Sequence, residues 1–281
     1  MTVDGEETLR QALDKGEEGD WEGMARDLLE QLEAVPGDPA ILCWLGVAER
    51  ELGLPGSAYD RFKEALAQDP EDPFVLATVG NGLAQFDDPD AEAALRSASV
   101  LAPDLPLARW LYGAYLSREG LHEDAMRELR AASELAPDEP VIAYEIGVAL
   151  ALGGEMEQAA DALTRSVDLD PGEGWSQVVL GLVEAEMDQM TEATRDLSEG
   201  ARLCPQDVEA QFLAALSAAS TGLEDLAYEM MERGRQSALP GDLPLLEVIE
   251  DRLGEGPDST RTFLRQELLP GVLRERLMNR P

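Results

Sequence analysis

The sequence predicts an all-α protein built from repeated pairs of helices, because several series of residues recur at one spacing. Prolines follow one another at intervals of 34, 33, 34, 34 and 34 residues, and a series of small residues keeps the same step. Series that share one period indicate an internal repeat. The prolines are Pro36, Pro70, Pro103, Pro137, Pro171 and Pro205. The small residues are Gly46, Gly80, Gly113, Gly147, Gly181 and Ala215.

Within one repeat, residues 138–171, the local signals predict two helices. The apolar residues of its first half have helical spacing, and Gly153-Gly154 ends that helix. The apolar spacing resumes at Ala159, and Pro171 ends the second helix because proline cannot extend the hydrogen-bond ladder. One such pair buries too little apolar surface to fold alone, so we expect neighbouring pairs to stack.

The pattern of one unit resembles the tetratricopeptide repeat, as Gly46, Ala58, Phe62 and Pro70 illustrate. The resemblance implies a right-handed α-solenoid of about seven helix-turn-helix units, followed by C-terminal capping helices. It places the superhelix in residues 1–240 and a C-terminal tail in residues 242–281. The units are 5–38 (degenerate), 39–72, 73–105, 106–139, 140–173, 174–207 and 208–241 (degenerate).

In the resembled family, positions 2, 5, 9 and 12 of each unit face a concave surface. Here these positions are mostly apolar or aromatic, and Asn81 is the one asparagine at position 9. The strip is interpreted either as a groove for an apolar or amphipathic segment of a partner protein, or as packing between helices. The candidate partner-binding residues are Cys43, Val47, Phe74, Ala77, Asn81, Leu107, Trp110, Ala114, Val141, Tyr144, Val148, Trp175, Val178, Leu182, Phe212 and Leu216.

The C-terminal tail is a second candidate occupant of that groove. Residues 259–281 contain five arginines and two glutamates, a net charge of +3, whereas the remaining residues carry −39. A tethered, positively charged amphipathic segment is expected to fold back on the acidic repeats. The alternative is that the tail docks on another protein. The arginines are Arg261, Arg265, Arg274, Arg276 and Arg280. The candidate docking residues are Phe263, Leu264, Leu268, Leu273 and Leu277.

The formal net charge of −36 argues against two classes of partner. Lys and Arg number 22 against 58 Asp and Glu, so nucleic acid and anionic membranes would be repelled. The acidity has two interpretations, a basic partner or a salt-adapted proteome. Even spread of the acids over the repeats favours the second.

Reactive side chains are few, which argues against an enzyme. The chain has one histidine, His122, and two cysteines, Cys43 and Cys204, far apart in sequence. We expect no metal, no cofactor and no catalytic residue, because no ligand or nucleophile pattern occurs. The N-terminus shows no signal peptide, no stretch is long and apolar enough to cross a membrane, and unpaired thiols suit a reducing compartment. The predicted location is the cytoplasm.

The sequence therefore predicts a non-catalytic scaffold or adaptor that binds a segment of a partner protein. Two alternatives remain open at this point. One is a chaperone-like protector of a hydrophobic client segment. The other is a structural subunit of a larger complex, with a homo-oligomer also possible.

Overall fold

Consecutive helices pack in pairs along the chain in the computed structural model, which describes residues 3–279, with side chains at residue 7 and at 9–279. These residues are helical apart from short turns, and no strand occurs among them, so the predicted all-α fold of helix-turn-helix units is confirmed. The repeat helices are α1 Val3–Glu17, α2 Trp21–Ala34, α3 Pro39–Glu51, α4 Pro55–Leu66, α5 Pro73–Ala84, α6 Ala91–Leu101, α7 Pro106–Arg118, α8 His122–Leu135, α9 Pro140–Leu152, α10 Met156–Leu169, α11 Gly174–Glu186, α12 Met190–Leu203, α13 Val208–Ser220 and α14 Glu224–Ser237.

Acidic N-caps and prolines set where several first helices begin. The Asp38 carboxylate accepts hydrogen bonds from the backbone N–H groups of Ala40 and Ile41, at 3.0 and 3.2 Å. Pro39 then occupies the first helical position. The absence of an N–H group costs nothing there, because the N–H of that residue makes no hydrogen bond within a helix. Asp72 and Pro73 repeat this arrangement at the start of α5.

The turn between the two helices of a unit requires one residue with positive φ. Gly154 adopts φ of 82° after α9, and glycine enters this region without steric penalty. At the equivalent position of the next unit Asp188 adopts φ of 65°. Aspartate tolerates this conformation better than most residues, so the turn survives the replacement.

The recurring small residue of the first helix lies against the recurring large residue of the second. A Cβ atom added at Gly147 would stand 2.6 Å from Leu163 Cγ, and one added at Gly46 would stand 2.7 Å from Phe62 Cε1. The side chains of Phe62 and Leu163 are fully buried. The small-residue series of the sequence thus lies against large apolar residues of the second helices, and this contact sets how closely the two helices of a repeat approach.

The chain forms two compact units, residues 1–115 and 116–281, which divide within α7. The interior of the first unit contains separate apolar clusters around Leu28, Phe62 and Leu95. The interior of the second unit is one continuous cluster that includes side chains of the tail, down to Leu277.

The tail packs as helices within the second unit. Its elements are α15 Leu243–Leu253, α16 Pro257–Thr262, a π-helical turn Phe263–Leu268 and α17 Leu269–Met278. At the junction with α17 the Leu269 N–H bonds to the carbonyl of Leu264, five residues earlier. Pro270 follows, and it has no N–H to donate. Arg280, which the sequence places among the tail arginines, lies outside the described residues, as do residues 1, 2 and 281.

We predict that Gly181→Ala destabilises the second unit by about 1–3 kcal/mol, because the new methyl group overpacks a rigid contact. It would stand 2.8 Å from the backbone nitrogen of Leu197 and 3.2 Å from the carbonyl oxygen of Ala193, and backbone atoms cannot rotate away. Urea unfolding followed by circular dichroism measures the change. Gly56→Ala is the matched control, since nothing lies within 4 Å of its added Cβ. Equal stability of the two variants would contradict the prediction.

Candidate partner-binding surface

The predicted strip residues of the second unit lie on α9, α11 and α13, and they are mostly buried. We call them the second-unit strip. Val141 and Trp175 are half-buried, and the other members are buried. The Trp175 Nε1–H donates a 2.7 Å hydrogen bond to the hydroxyl oxygen of Tyr144, which joins neighbouring first helices, and burial raises the pKa of Tyr144. The second-unit strip is Val141, Tyr144, Val148, Trp175, Leu182 and Leu216, whereas the candidates Val178 and Phe212 point into their own helix pairs, against Gly200 and Gly234.

The tail packs against the helices that carry the second-unit strip. Helix α17 lies against α11 and α9, while α16 and the π-helical turn lie against α13. The buried tail side chains share the core cluster of the strip, and Leu268 is half-buried at its edge. They are Leu246 and Ile249 of α15, followed by Phe263, Leu264, Leu269, Val272, Leu273 and Leu277.

One end of the tail contact lies at the C-terminal end of α11. Arg261 and Arg265 both pair with Asp188, at 2.7 and 2.9 Å. The Arg265 guanidinium also donates to the carbonyl oxygens of Ala185 and Glu186, each at 3.1 Å. A cation is favoured there because the last carbonyls of a helix carry partial negative charge. Hydrogen bonding from Arg261 and the neighbouring arginine charges lower the pKa of Asp188, although partial desolvation opposes them.

The other end of the contact is built around Arg276. Its guanidinium donates to Asp207 at 2.6 Å and to Glu209 at 2.9 Å, and its centre lies 4.7 Å from the ring centroid of Trp175. The Arg276 side chain is 7% exposed. Although burial opposes the shift, hydrogen bonding from Arg276 lowers the pKa of Asp207. Since Arg265 meets the end of α11 and Arg276 its beginning, the tail runs antiparallel to α11.

A buried ion pair lies beside the last residues of the tail. Arg118 donates to Glu145 through two nitrogens, at 2.9 and 3.1 Å, and the two side chains are 2% and 4% exposed. The Arg118 guanidinium also approaches the carbonyl oxygen of Asn279 at 3.4 Å. A buried pair of this kind depends on both partners, because removing one leaves an uncompensated charge.

The strip residues of the first unit have a different exposure. We call Val47, Phe74, Asn81, Leu107, Trp110 and Ala114 the first-unit strip. Phe74 is 37% exposed, and its ring lies 5.6 Å from that of Trp44, at 34° between planes. Asn81, Leu107 and Trp110 are half-buried, whereas Val47 and Ala114 are buried. The first unit therefore presents an aromatic pair and an amide on an apolar surface.

Two further strip candidates of the first unit lie in its interior. Cys43 and Ala77 are fully buried, in clusters formed between helices. Burial strongly raises the pKa of the Cys43 thiol. These two positions form part of the helix packing, and the first-unit strip excludes them.

A pair of buried carboxyl groups links α11 to α12. Burial raises the pKa of Glu184 to about 8. Hydrogen bonding with Asp196 and the negative charge of Asp196 contribute to this rise. Asp196 accepts hydrogen bonds from Gln177 at 3.2 Å and from Arg195 at 2.7 and 2.8 Å. The raised pKa favours the neutral, protonated form of Glu184, which reduces the negative charge in the interior.

Metal-binding clusters and membrane-spanning helices are both absent from the described range. No group of three or more His, Cys, Asp or Glu side chains within residues 3–279 is placed to hold a metal ion. None of the helices in that range combines the length and apolarity that a membrane crossing needs.

The packing of helix pairs defines the class of protein, an all-α repeat protein. More specifically, its fold is that of the tetratricopeptide-repeat family, as its similarity to solved structures shows. No protein-family model matches the chain, and no curated protein sequence matches it. The resemblance to known proteins therefore rests on the structural comparison.

Three solved structures illustrate the similarity. A chain of the APC/C hetero-tetramer Cut9-Hcn1 aligns with a TM-score of 0.66 at 17% identity, over 86% of this chain and 48% of that one. PilF of Pseudomonas aeruginosa aligns with a TM-score of 0.56 at 21% identity, over 74% and 95%. TTC0263, a tetratricopeptide-repeat protein of Thermus thermophilus, aligns with a TM-score of 0.50 at 20% identity, over 59% and 92%. This chain thus spans about half the length of the first of these proteins.

We predict that the free energy of unfolding falls as the pH rises from 5 to 9, and that Glu184→Gln weakens this dependence. The pKa of Glu184 is about 8 when folded, against 4.5 for the unperturbed group, so the folded state holds a proton that the unfolded state releases. The stabilisation is complete below pH 4.5 and is lost as the pH passes 8, with a loss of at most about 5 kcal/mol.

Urea unfolding at several pH values checks this prediction. Glu186→Gln, at an exposed carboxylate of the same helix, is the control and should follow the wild type. A Glu184→Gln variant with the wild-type pH dependence would show that Glu184 is not the titrating group.

Proposed function

We propose that the protein is a non-catalytic scaffold that binds a segment of a partner protein on the first-unit strip. The observation that carries this proposal is the contrast in exposure between the two strips. The tail of the chain packs on the helices that carry the second-unit strip, whereas in the first-unit strip Phe74 is 37% exposed and Trp110 and Asn81 are half-buried. Exposed aromatic and apolar side chains grouped in this way are typical of protein interfaces.

The chemistry of the first-unit strip suits a short apolar segment. The rings of Phe74 and Trp44 are already in contact, so little side-chain entropy is lost when a partner covers them. The Asn81 amide offers both donors and an acceptor, which matches the backbone of an extended peptide. We infer that an apolar side chain of the partner packs on the aromatic pair while Asn81 binds its backbone.

The charge of the first unit restricts the partner further. Residues 1–115 contain 8 basic and 24 acidic residues, a net charge of −16. An acidic segment would be repelled and a neutral or basic one would be attracted during approach. The proposal therefore favours an apolar partner segment without net negative charge.

The proposal includes a cytoplasmic location. Both cysteines are free, and the Cys43 side chain is fully buried in the interior of the first unit. A protein that keeps unpaired thiols is suited to a reducing compartment.

We predict that Phe74→Ala with Asn81→Ala weakens partner binding about 10- to 100-fold, the usual effect of removing central contact residues. Proteins from the native source are recovered on the immobilised wild type, and the affinity of each recovered protein is then measured on purified variants. Val100→Ala with Leu101→Ala is the matched control, because these apolar side chains of α6 are 73% and 58% exposed and lie outside the strip.

The proposal requires a protein that binds the wild type and the α6 control but not the strip variant. Equal recovery on all three would contradict it. A partner that dissociates only on unfolding would instead identify a structural subunit, and suppressed aggregation of an unfolded client would identify a chaperone.

A further inference from the structure

We propose that the second-unit strip is a second binding surface, selective for a basic amphipathic helix, and that the tail is an intramolecular occupant which such a helix displaces. This inference goes beyond the proposed function, because it concerns a different surface and does not require a ligand on the first-unit strip.

The bound tail defines the chemistry that this surface accepts. The surface supplies apolar contacts along α9, α11 and α13, and a carboxylate site at each end of the bound tail: Asp188 just after α11, and Asp207 with Glu209 at the start of α13. Arg265 and Arg276, which reach the two sites, are separated by 11 residues, a helical rise of about 16 Å. A ligand helix therefore needs an apolar stripe of about three turns with an arginine at each end.

The carboxylate sites determine the direction in which the ligand helix lies on the surface as well as its charge. Asp207 and Glu209 bind the arginine at the C-terminal end of the ligand helix, and Asp188 binds the arginine at its N-terminal end. The Arg276 site is buried and backed by the face of Trp175, which suits a planar guanidinium better than an ammonium group. The surface thus distinguishes arginine from lysine at that position.

The tail is an imperfect ligand for its own surface. Its helix is interrupted by the π-helical turn over Phe263–Leu268 and by Pro270, which donates no backbone hydrogen bond. Gly271 is a weak helix former, and nothing lies within 4 Å of a Cβ added there. An uninterrupted helix with the same contacts needs less conformational ordering, so it can displace the tail despite the advantage that tethering gives.

The negative charge of the second unit disfavours the binding of acidic helices. Residues 116–258 contain 9 basic and 32 acidic residues, a net charge of −23, against +3 for residues 259–281. An acidic amphipathic helix would meet like charge at both carboxylate sites. The negative charge of the repeats therefore makes the surface selective for a positively charged helix such as the tail.

A synthetic peptide tests the proposal on the full chain. The probe is a fluorescein-labelled peptide of residues 259–279 in which Pro270 and Gly271 are replaced by alanine. Its binding to the wild type, Arg276→Gln and Arg274→Gln is measured by fluorescence anisotropy. Arg274 is the matched control, because it is exposed and lies outside the ion pairs of the tail.

We expect the peptide to bind Arg276→Gln at least 10-fold more tightly than the wild type or Arg274→Gln, because the weakened tail competes less. Adding Asp207→Asn to Arg276→Gln should reduce that affinity about 10-fold, since the peptide arginine loses a carboxylate while asparagine still caps α13. Hydrogen exchange in α17 should rise in Arg276→Gln and stay unchanged in α3–α6.

Three results would overturn the proposal. One is equal binding of the peptide to the wild type and Arg276→Gln, and another is binding to neither. The third is an equal gain in Arg274→Gln, which would indicate a non-specific charge effect. Phe74→Ala with Asn81→Ala should bind the peptide as the wild type does, so failure here and failure of the proposed function are distinguishable.

Discussion

The contact between a small residue of each first helix and a large apolar residue of each second helix is the constraint on which the structure depends. Gly147 against Leu163 and Gly46 against Phe62 are examples in the two units. Each contact lets two helix backbones approach closely, and a repeat that keeps it keeps its helix pair in one geometry. The spacing of about 34 residues then brings equivalent positions of successive first helices side by side.

The strips follow from that repetition. Trp175 and Tyr144 lie on the first helices of two neighbouring repeats. Their hydrogen bond of 2.7 Å shows that side chains from separate repeats form one surface. A repeat protein can therefore change its binding chemistry by substituting a few first-helix residues while the small-to-large contact stays the same. In the first unit those substitutions leave an exposed aromatic ring, whereas in the second unit they accommodate the tail.

Helix existence was predictable from the sequence because it depends on local signals, but the role of each strip position was not. Cap and proline residues such as Asp38 and Pro39 act within one turn of the helix that they begin. Position 5 of the repeat depends instead on the facing helix. Val178 packs against Gly200 and Phe212 against Gly234, so these side chains enter the interior of their own helix pair. A single sequence does not reveal how deeply a neighbouring helix, or a tail, covers a residue.

The acidic partners of the tail were equally hidden, since Asp188 and Asp207 are two among 58 acidic residues. Their importance comes from position at the ends of helices, which only the packed structure decides. The ion pairs at the two ends of the tail also differ in how strongly solvent screens them. Arg261 and Asp188 are 43% and 44% exposed, so solvent screens the attraction between them.

Arg276 is 7% exposed and has two carboxylates and an aromatic face around it, so losing a partner there leaves a charge without solvent to compensate it. The apolar side chains of the tail supply most of the attraction, but an apolar stripe alone tolerates a shift along the groove. The buried guanidinium opposes such a shift, because a shift would separate it from Asp207 and Glu209. Arg276 thus determines where a helix stops on this surface, and the apolar residues determine how firmly it is held.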